Sequence, residues 1–121
     1  MPQAPMPLHS LDLPSFEAKA GEVAGILSLL ANQRRLMMLC KLTECGEMNV
    51  SDLAEAVGLS QSALSQHLAK LREQNLVSFR RDGQTLWYRL SDPRIEALLA
   101  ALYNTFCAPS AAPEAGAADN D

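Results

Sequence analysis

Residues 59–72 read LSQSALSQHLAKLR, and a helix through them would carry two different faces. At 100° per residue, Leu64, Leu68 and Leu71 gather on one side, while Ser62, Ser65, Gln66, Ala69 and Lys70 gather on the other. Hydroxyl and amide groups on a helix face are suited to reading base edges. Gln can bridge the N6/N7 edge of adenine, and Ser can donate to or accept from several bases. Ala69 is small enough to let such a helix approach a groove floor. A merely solvated face would favour Glu and Lys pairs over Ser60-Gln61-Ser62 and Ser65-Gln66, so binding to double-stranded DNA is the expected chemistry. His67 lies between the two faces and is expected to pack between helices or touch a phosphate, rather than bind a metal or act as a base. Further on, Arg80 and Arg81 precede Asp82-Gly83, with Gln84 after them. A basic hairpin tip of this kind can reach a phosphate or enter a minor groove.

The second reactive set is three thiols, Cys40, Cys45 and Cys107. Their odd number and the lack of any Cys-x-x-Cys argue against a disulfide framework or a zinc ribbon. Small core hydrophobes are the ordinary use of such cysteines. Cys107 fits that use poorly, because it is the last residue before an Ala, Pro and Ser tail. A helix end beside a loose tail is a poor place for a core residue and a good place for a thiol that must be reached. No nucleophile and base occur in a recognisable order, so an enzyme is not expected, nor is a cofactor.

Length and composition bound the rest. A chain of 121 residues, 48% hydrophobic and 20% charged, fits one domain with a modest core. The first fifteen residues, MPQAPMPLHSLDLPS, are broken by prolines and an Asp where a secretion leader needs an unbroken apolar run. No stretch approaches the roughly 20 apolar residues of a membrane helix. The expected location is the cytoplasm, where thiols are kept reduced. The net charge of −4 argues against indiscriminate nucleic-acid binding but hides an uneven distribution. Residues 61–90 hold Lys70, Arg72, Arg80, Arg81 and Arg89 against Glu73 and Asp82, five bases against two acids.

The elements that must position these groups follow from caps and periodicity. Residues 1–14 and 108–121 are expected to be a flexible arm and a disordered tail around a folded unit at 15–107. A first helix is expected from an N-cap at Ser15, with Phe16, Ala20, Val23, Leu27 and Leu30 as its stripe. A second follows Asn32 and stops at Gly46; it turns Leu36, Leu39, Cys40 and Thr43 to one side, with Cys40 inward. Short helices at 51–57 and 61–74, joined by a turn containing Gly58 and capped by Ser60, make a helix-turn-helix. VSFRRDGQTLWYRL then reads as a hairpin joined by Asp82-Gly83, in which Trp87 and Tyr88 pack the strands. A last helix starts at Asp92-Pro93 and carries Ile95, Leu98, Leu99, Leu102 and Phe106. The fold class is therefore mainly α with a small β-hairpin: a winged helix-turn-helix with an extra helix at each end. Those two amphipathic helices exceed what the compact unit can bury, so they are expected to form the interface of a homodimer.

The segments LANQRRLMMLCKL, VSDLAEAVGLSQSALSQHLAKLREQNLV and RRDGQTLWYRLSD resemble the ArsR/SmtB family of bacterial winged-helix repressors, over about residues 16–107. The resemblance implies a homodimer that occludes a promoter and leaves it when an inducer binds. The chain departs from the metal-sensing members. It has Asn49-Val50-Ser51-Asp52-Leu53 where arsenic and cadmium types carry a Cys-Val-Cys-like motif. It has Asp92-Pro93-Arg94 where zinc types carry Asp-x-His, and its last helix has no histidine. Leu39-Cys40-Lys41-Leu42 and Tyr103…Phe106-Cys107 instead resemble the BigR/SqrR/YgaV/HlyU subgroup. That likeness implies that Cys40 and Cys107 sense reactive sulfur species by becoming linked through sulfur, which releases DNA. Cys45 lies outside that pair. The competing expectation is a trigonal site for arsenite or another soft metal formed by Cys40, Cys45 and Cys107.

Overall fold

In a computed structural model, residues 11–107 are described; the arm before Leu11 and the tail expected at 108–121 lie outside them. Five helices and three short strands follow one another. They are α1 (Leu13–Leu30), α2 (Gln33–Cys45), β1 (Met48–Asn49), α3 (Val50–Val57), α4 (Gln61–Glu73), β2 (Val77–Asp82), β3 (Thr85–Leu90) and α5 (Pro93–Phe106). This is a winged helix-turn-helix with a flanking helix at each end. No helix among the described residues is long and apolar enough to cross a membrane.

Local chemistry sets the helix ends. Asn32, Asn49, Ser60 and Asp92 each accept a hydrogen bond from a backbone N–H in the first turn of the helix that follows. At the first helix the expected cap is off by three residues. Asp12, not Ser15, is the N-cap: its carboxylate accepts from the Ser15 N–H at 3.3 Å and the Ser15 hydroxyl at 2.6 Å. Pro14 sits in the first turn, where its missing N–H costs nothing. Gly58 ends α3 at φ 71, and its N–H returns to Ala54 and Glu55. That left-handed backbone is what lets α4 turn sharply away from α3.

The core lies where α2, α3, α4 and the sheet meet. Met38, Leu39, Leu42, Leu53, Leu64, Leu68, Leu71 and Leu76 are fully buried. The inward face expected for α4 is thus the inward face found. On α2 the buried residues are Met38, Leu39 and Leu42; Cys40 is half-buried and Thr43 exposed, so Cys40 lies on the flank of that face.

The sheet has the order β1-β3-β2, all antiparallel. The register pairs Val77 with Leu90, Phe79 with Tyr88, Arg80 with Trp87 and Asp82 with Thr85. The turn is therefore Gly83-Gln84, one residue later than expected, with Gly83 at φ 64 in its first position. β1 was not expected at all. Its Met48 and Asn49 pair with Tyr88 and Trp87.

The terminal helices lie side by side. Val23, Ile26 and Leu27 of α1 and Ile95 and Leu98 of α5 line one apolar groove of about 330 Å³. Arg94 ties its rim by donating to Glu22 at 3.1 Å and Asp92 at 2.7 Å. Much of the expected apolar stripe stays open to solvent within one protomer: Phe16 is 55% exposed, Leu27 49% and Phe106 79%.

Candidate functional site

Helix α4 presents the side chains read from the sequence. Ser60, Gln61, Ser62, Ser65, Gln66, Ala69 and Lys70 are all exposed, while Leu64, Leu68 and Leu71 hold the opposite side in the core. Ser60 is occupied as a cap, its hydroxyl accepting from the Ala63 N–H at 3.1 Å. Gln61 and Gln84 both line an open, largely polar cleft of about 510 Å³, together with Asn49, Ser51, Asp52 and Thr85. The start of α3, the start of α4 and the wing tip thus meet around one polar concavity.

His67 is half-buried and turned toward α2. Its Nδ1 lies 3.5 Å from Nη1 of Arg35. Burial, Arg35 and Lys70 together push its pKa below the ordinary value, so the neutral ring is favoured. Packing between helices is the role this geometry gives it. Arg35 also donates through Nε to the Leu29 carbonyl at 2.8 Å, which secures the α1–α2 junction.

Several basic groups turn out to be engaged inside the protomer. Arg34 donates to the carbonyls of Val57 and Gly58 and so satisfies the open carbonyl end of α3. Arg72 donates to the Tyr88 hydroxyl at 3.2 Å and stacks over Phe79, its guanidinium carbon 5.2 Å from the ring centre. Those contacts fasten the wing to α4. Arg80 forms a two-pronged pair with Glu47, at 2.9 Å and 3.0 Å, and lies over Trp87. The guanidinium holds the Glu47 carboxyl below its usual range, with Arg89 adding to the effect. Arg81 is exposed, and no ion pair among the described residues engages it. Sequence reasoning missed Glu47 and Arg34 because their partners are distant in the chain. A hint existed in Arg34 and Arg35, whose placement at a helix N-terminus opposes the helix dipole.

Cys40 lines a depression of about 320 Å³ between α2 and α5, with Thr43, Glu44, Glu96, Leu99, Ala100 and Tyr103. Burial pushes the Cys40 thiol pKa up. Cys107 is exposed and caps α5, its N–H donating to the Tyr103 carbonyl at 2.7 Å. It therefore stands one turn, or about 6 Å of axial rise, beyond the aromatic residue that shares the depression with Cys40. Cys45 is exposed at the far end of α2. Among the described residues no three His, Cys, Asp or Glu side chains converge as metal ligands, so one protomer does not bring the three thiols together.

A helix-turn-helix with an exposed helix face rich in amides and hydroxyls and a wing carrying arginines defines a DNA-binding regulator. The comparisons with known proteins agree. The model of the family described as "Bacterial regulatory protein, arsR family" matches residues 32–78. The chain is similar to the biofilm growth-associated repressor of Agrobacterium fabrum, 39% identical over 88% of this chain and 91% of that one. It is also similar to nodulation protein NolR of Rhizobium meliloti, 50% identical over 78% and 77% of the two chains. The crystal structure of the transcriptional repressor BigR from Xylella fastidiosa matches with a TM-score of 0.76. It is 39% identical, over 82% of this chain and all of that one. A homodimeric winged helix-turn-helix domain from Mycobacterium bovis matches at 30% identity and a TM-score of 0.67, over 82% and 89%. The chain belongs to the arsR family of bacterial regulatory proteins. It is a DNA-binding transcriptional regulator, like the relatives it matches, and not an enzyme.

Proposed function

We propose that the chain is a homodimeric repressor that leaves its operator when reactive sulfur species link Cys40 to Cys107. The folded repressor domain corresponds to residues 15–107, with the first turn of α1 added to it. Ser62, Ser65 and Gln66 read base edges in a major groove, with Ser60, Gln61, His67 and Lys70 around them and Arg80, Arg81 and Gln84 on the wing. The second protomer covers the exposed apolar residues of α1 and α5, as the homodimeric relative from Mycobacterium bovis supports.

The observation that carries the sulfur reading is the depression between α2 and α5. It shelters Cys40 beside Tyr103, with Cys107 one turn further on at an exposed helix end. Cys107 reacts first because it is reachable. Its thiolate attacks the outer sulfur of a small persulfide R–S–SH, and R–S⁻ leaves with the bonding pair, giving Cys107–S–SH. Cys40, deprotonated, then attacks Cys107 Sγ and expels HS⁻, leaving a disulfide. Alternatively, a second persulfide first converts Cys40 to Cys40–S–SH. The terminal sulfur of Cys107–S–S⁻ then attacks Cys40 Sγ, HS⁻ leaves and a trisulfide remains. A disulfide needs Cα atoms about 4.4–6.8 Å apart, and each inserted sulfur relaxes that demand. The raised Cys40 pKa disfavours its thiolate, which supports Cys107 as the thiol that reacts first. Drawing α5 onto α2 at the dimer-forming helices changes the spacing of the two α4 helices, and with it the match to half-sites one helical turn apart.

The test joins intact-mass spectrometry to operator binding. Protein is exposed separately to glutathione persulfide, hydrogen peroxide, zinc and arsenite, as wild type and as Cys40→Ser, Cys45→Ser and Cys107→Ser. A cross-linked mass and operator release with persulfide, lost in Cys40→Ser and Cys107→Ser but kept in Cys45→Ser, is expected. A full persulfide response in Cys107→Ser refutes the bridge. An arsenite response lost in Cys45→Ser replaces it with the three-thiol soft-metal site.

A further inference from the structure

We propose that the two wing arginines have divided roles: Arg81 contacts the DNA phosphate, whereas Arg80 is a positioning residue clamped by Glu47. The proposal rests on the DNA-reading function above and assigns its phosphate contact within the wing.

The register carries the argument. Residues paired across antiparallel strands share a face of the sheet. Arg81 pairs with Leu86, on the face that holds Phe79 and Tyr88. That face meets the reading helix, because Arg72 of α4 stacks over Phe79 and bonds Tyr88. Arg80 pairs with Trp87 and belongs to the opposite face. There Glu47, the residue before β1, grips its guanidinium at 2.9 Å and 3.0 Å, and Trp87 lies beneath it at 5.6 Å.

A phosphate competing for Arg80 must displace a two-pronged carboxylate and would leave that carboxylate facing the DNA backbone. The exchange swaps one anion for another, so it adds little counterion release. Among the described residues Arg81 has no such partner, and it sits on the side of the wing that adjoins α4. The Glu47–Arg80 pair serves another purpose: it joins the middle of β2 to the residue from which β1 and α3 depart, and so fixes the wing relative to the helix-turn-helix.

The experiment is the salt dependence of binding to a mixed-sequence duplex of about three helical turns, since phosphate contacts are independent of sequence. Arg81→Ala should flatten the slope of log K against log salt by about 0.9 per protomer. Arg80→Ala and Arg80→Gln should lower affinity by a similar factor at every salt concentration and leave the slope unchanged. Glu47→Gln, which frees Arg80, should steepen the slope by about 0.9 per protomer, and adding Arg80→Ala should abolish that gain. Thermal melts confirm that each variant is folded, as the exposure of Arg80 and Arg81 and the partial exposure of Glu47 lead one to expect. Equal flattening in Arg80→Ala and Arg81→Ala, or a wild-type slope in Glu47→Gln, overturns the assignment while the DNA reading stands. A wild-type slope near zero overturns both.

Discussion

Gln66→Ala separates reading from folding most cleanly. Gln66 is exposed on α4 and bonds no other side chain among the described residues, so truncation removes nothing the fold uses. Its cost in stability should stay within about 0.5 kcal/mol. If its amide bridges a base edge, the same change should lower discrimination between operator and scrambled duplex by about 1–3 kcal/mol, or roughly 5–150-fold. Leu68 lies two residues on and supplies the contrast. It is 1% exposed, in the layer where α4 meets α3 and the sheet. Leu68→Ala removes three buried carbon atoms and leaves a cavity, at about 2–5 kcal/mol. At about 4–8 °C per kcal/mol for a unit of this size, its melting temperature should fall by at least about 8 °C. The assay is fluorescence anisotropy at fixed salt, with an operator recovered by selection from a random duplex pool, beside thermal melts of both variants. The reasoning fails if Gln66→Ala weakens cognate and scrambled duplexes equally, or if it melts as early as Leu68→Ala.

Three further expectations follow from the same geometry. Gly58→Ala should cost about 1–2 kcal/mol, because φ 71 is left-handed and the added Cβ would meet Arg34 Nη1 at 3.1 Å; an unchanged melting temperature would contradict this. His67 is held below its ordinary pKa, so the folded state favours the neutral ring. That stabilisation is complete above the unfolded value near about 6.5 and fades as pH falls through the folded value. Wild type should therefore lose more melting temperature than His67→Gln between neutral pH and pH about 5, and parallel curves would refute it. Alkylation by iodoacetamide near neutral pH should reach Cys107 and Cys45 before Cys40, because Cys40 is half-buried with a raised pKa; peptide mapping showing Cys40 modified first would reverse the order of steps proposed for the bridge.

What the sequence reveals and what it hides divide by range. The caps Asn32, Ser60 and Asp92, the Gly58 turn, the α4 stripe and the alternation in β2 and β3 are written in residues a few positions apart and are legible. Asp12 and Ser15 are both good caps three residues apart, and only the finished helix shows the carboxylate taking both Ser15 donors. β1 is two residues long and exists because β3 offers an open edge, which no window on Met48–Asn49 could show. The same applies to the site. The polar face of α4 was legible from periodicity alone. The fates of Arg34, Arg72 and Arg80 were not, because their partners Val57, Tyr88 and Glu47 lie 23, 16 and 33 positions away. Cys40 read as inward, yet it lies on the flank of α2 because Met38, Leu39 and Leu42 make up its buried face.

That division of the arginines predicts the strength of non-specific binding. Counted by sequence, residues 61–90 offer five bases to DNA. The fold occupies Arg72 with Tyr88 and Phe79 and Arg80 with Glu47, and it places Arg89 within reach of the Glu47 charge. Among the described residues Lys70 and Arg81 remain as exposed groups with no ion pair, which makes four in the proposed dimer. At about 0.9 per phosphate, the slope of log K against log salt should be near −4, far shallower than all ten bases of two reading units would give. With a chain charge of −4 opposing attraction at long range, non-specific affinity should be weak. Discrimination then falls to the amides and hydroxyls of α4, whose contacts respond little to salt. Titrations from low to moderate salt, on operator and on scrambled duplex, measure both slopes. A slope beyond about −7 would mean that the engaged arginines leave their partners for phosphate, and that the wing is rebuilt on DNA rather than docked as it stands.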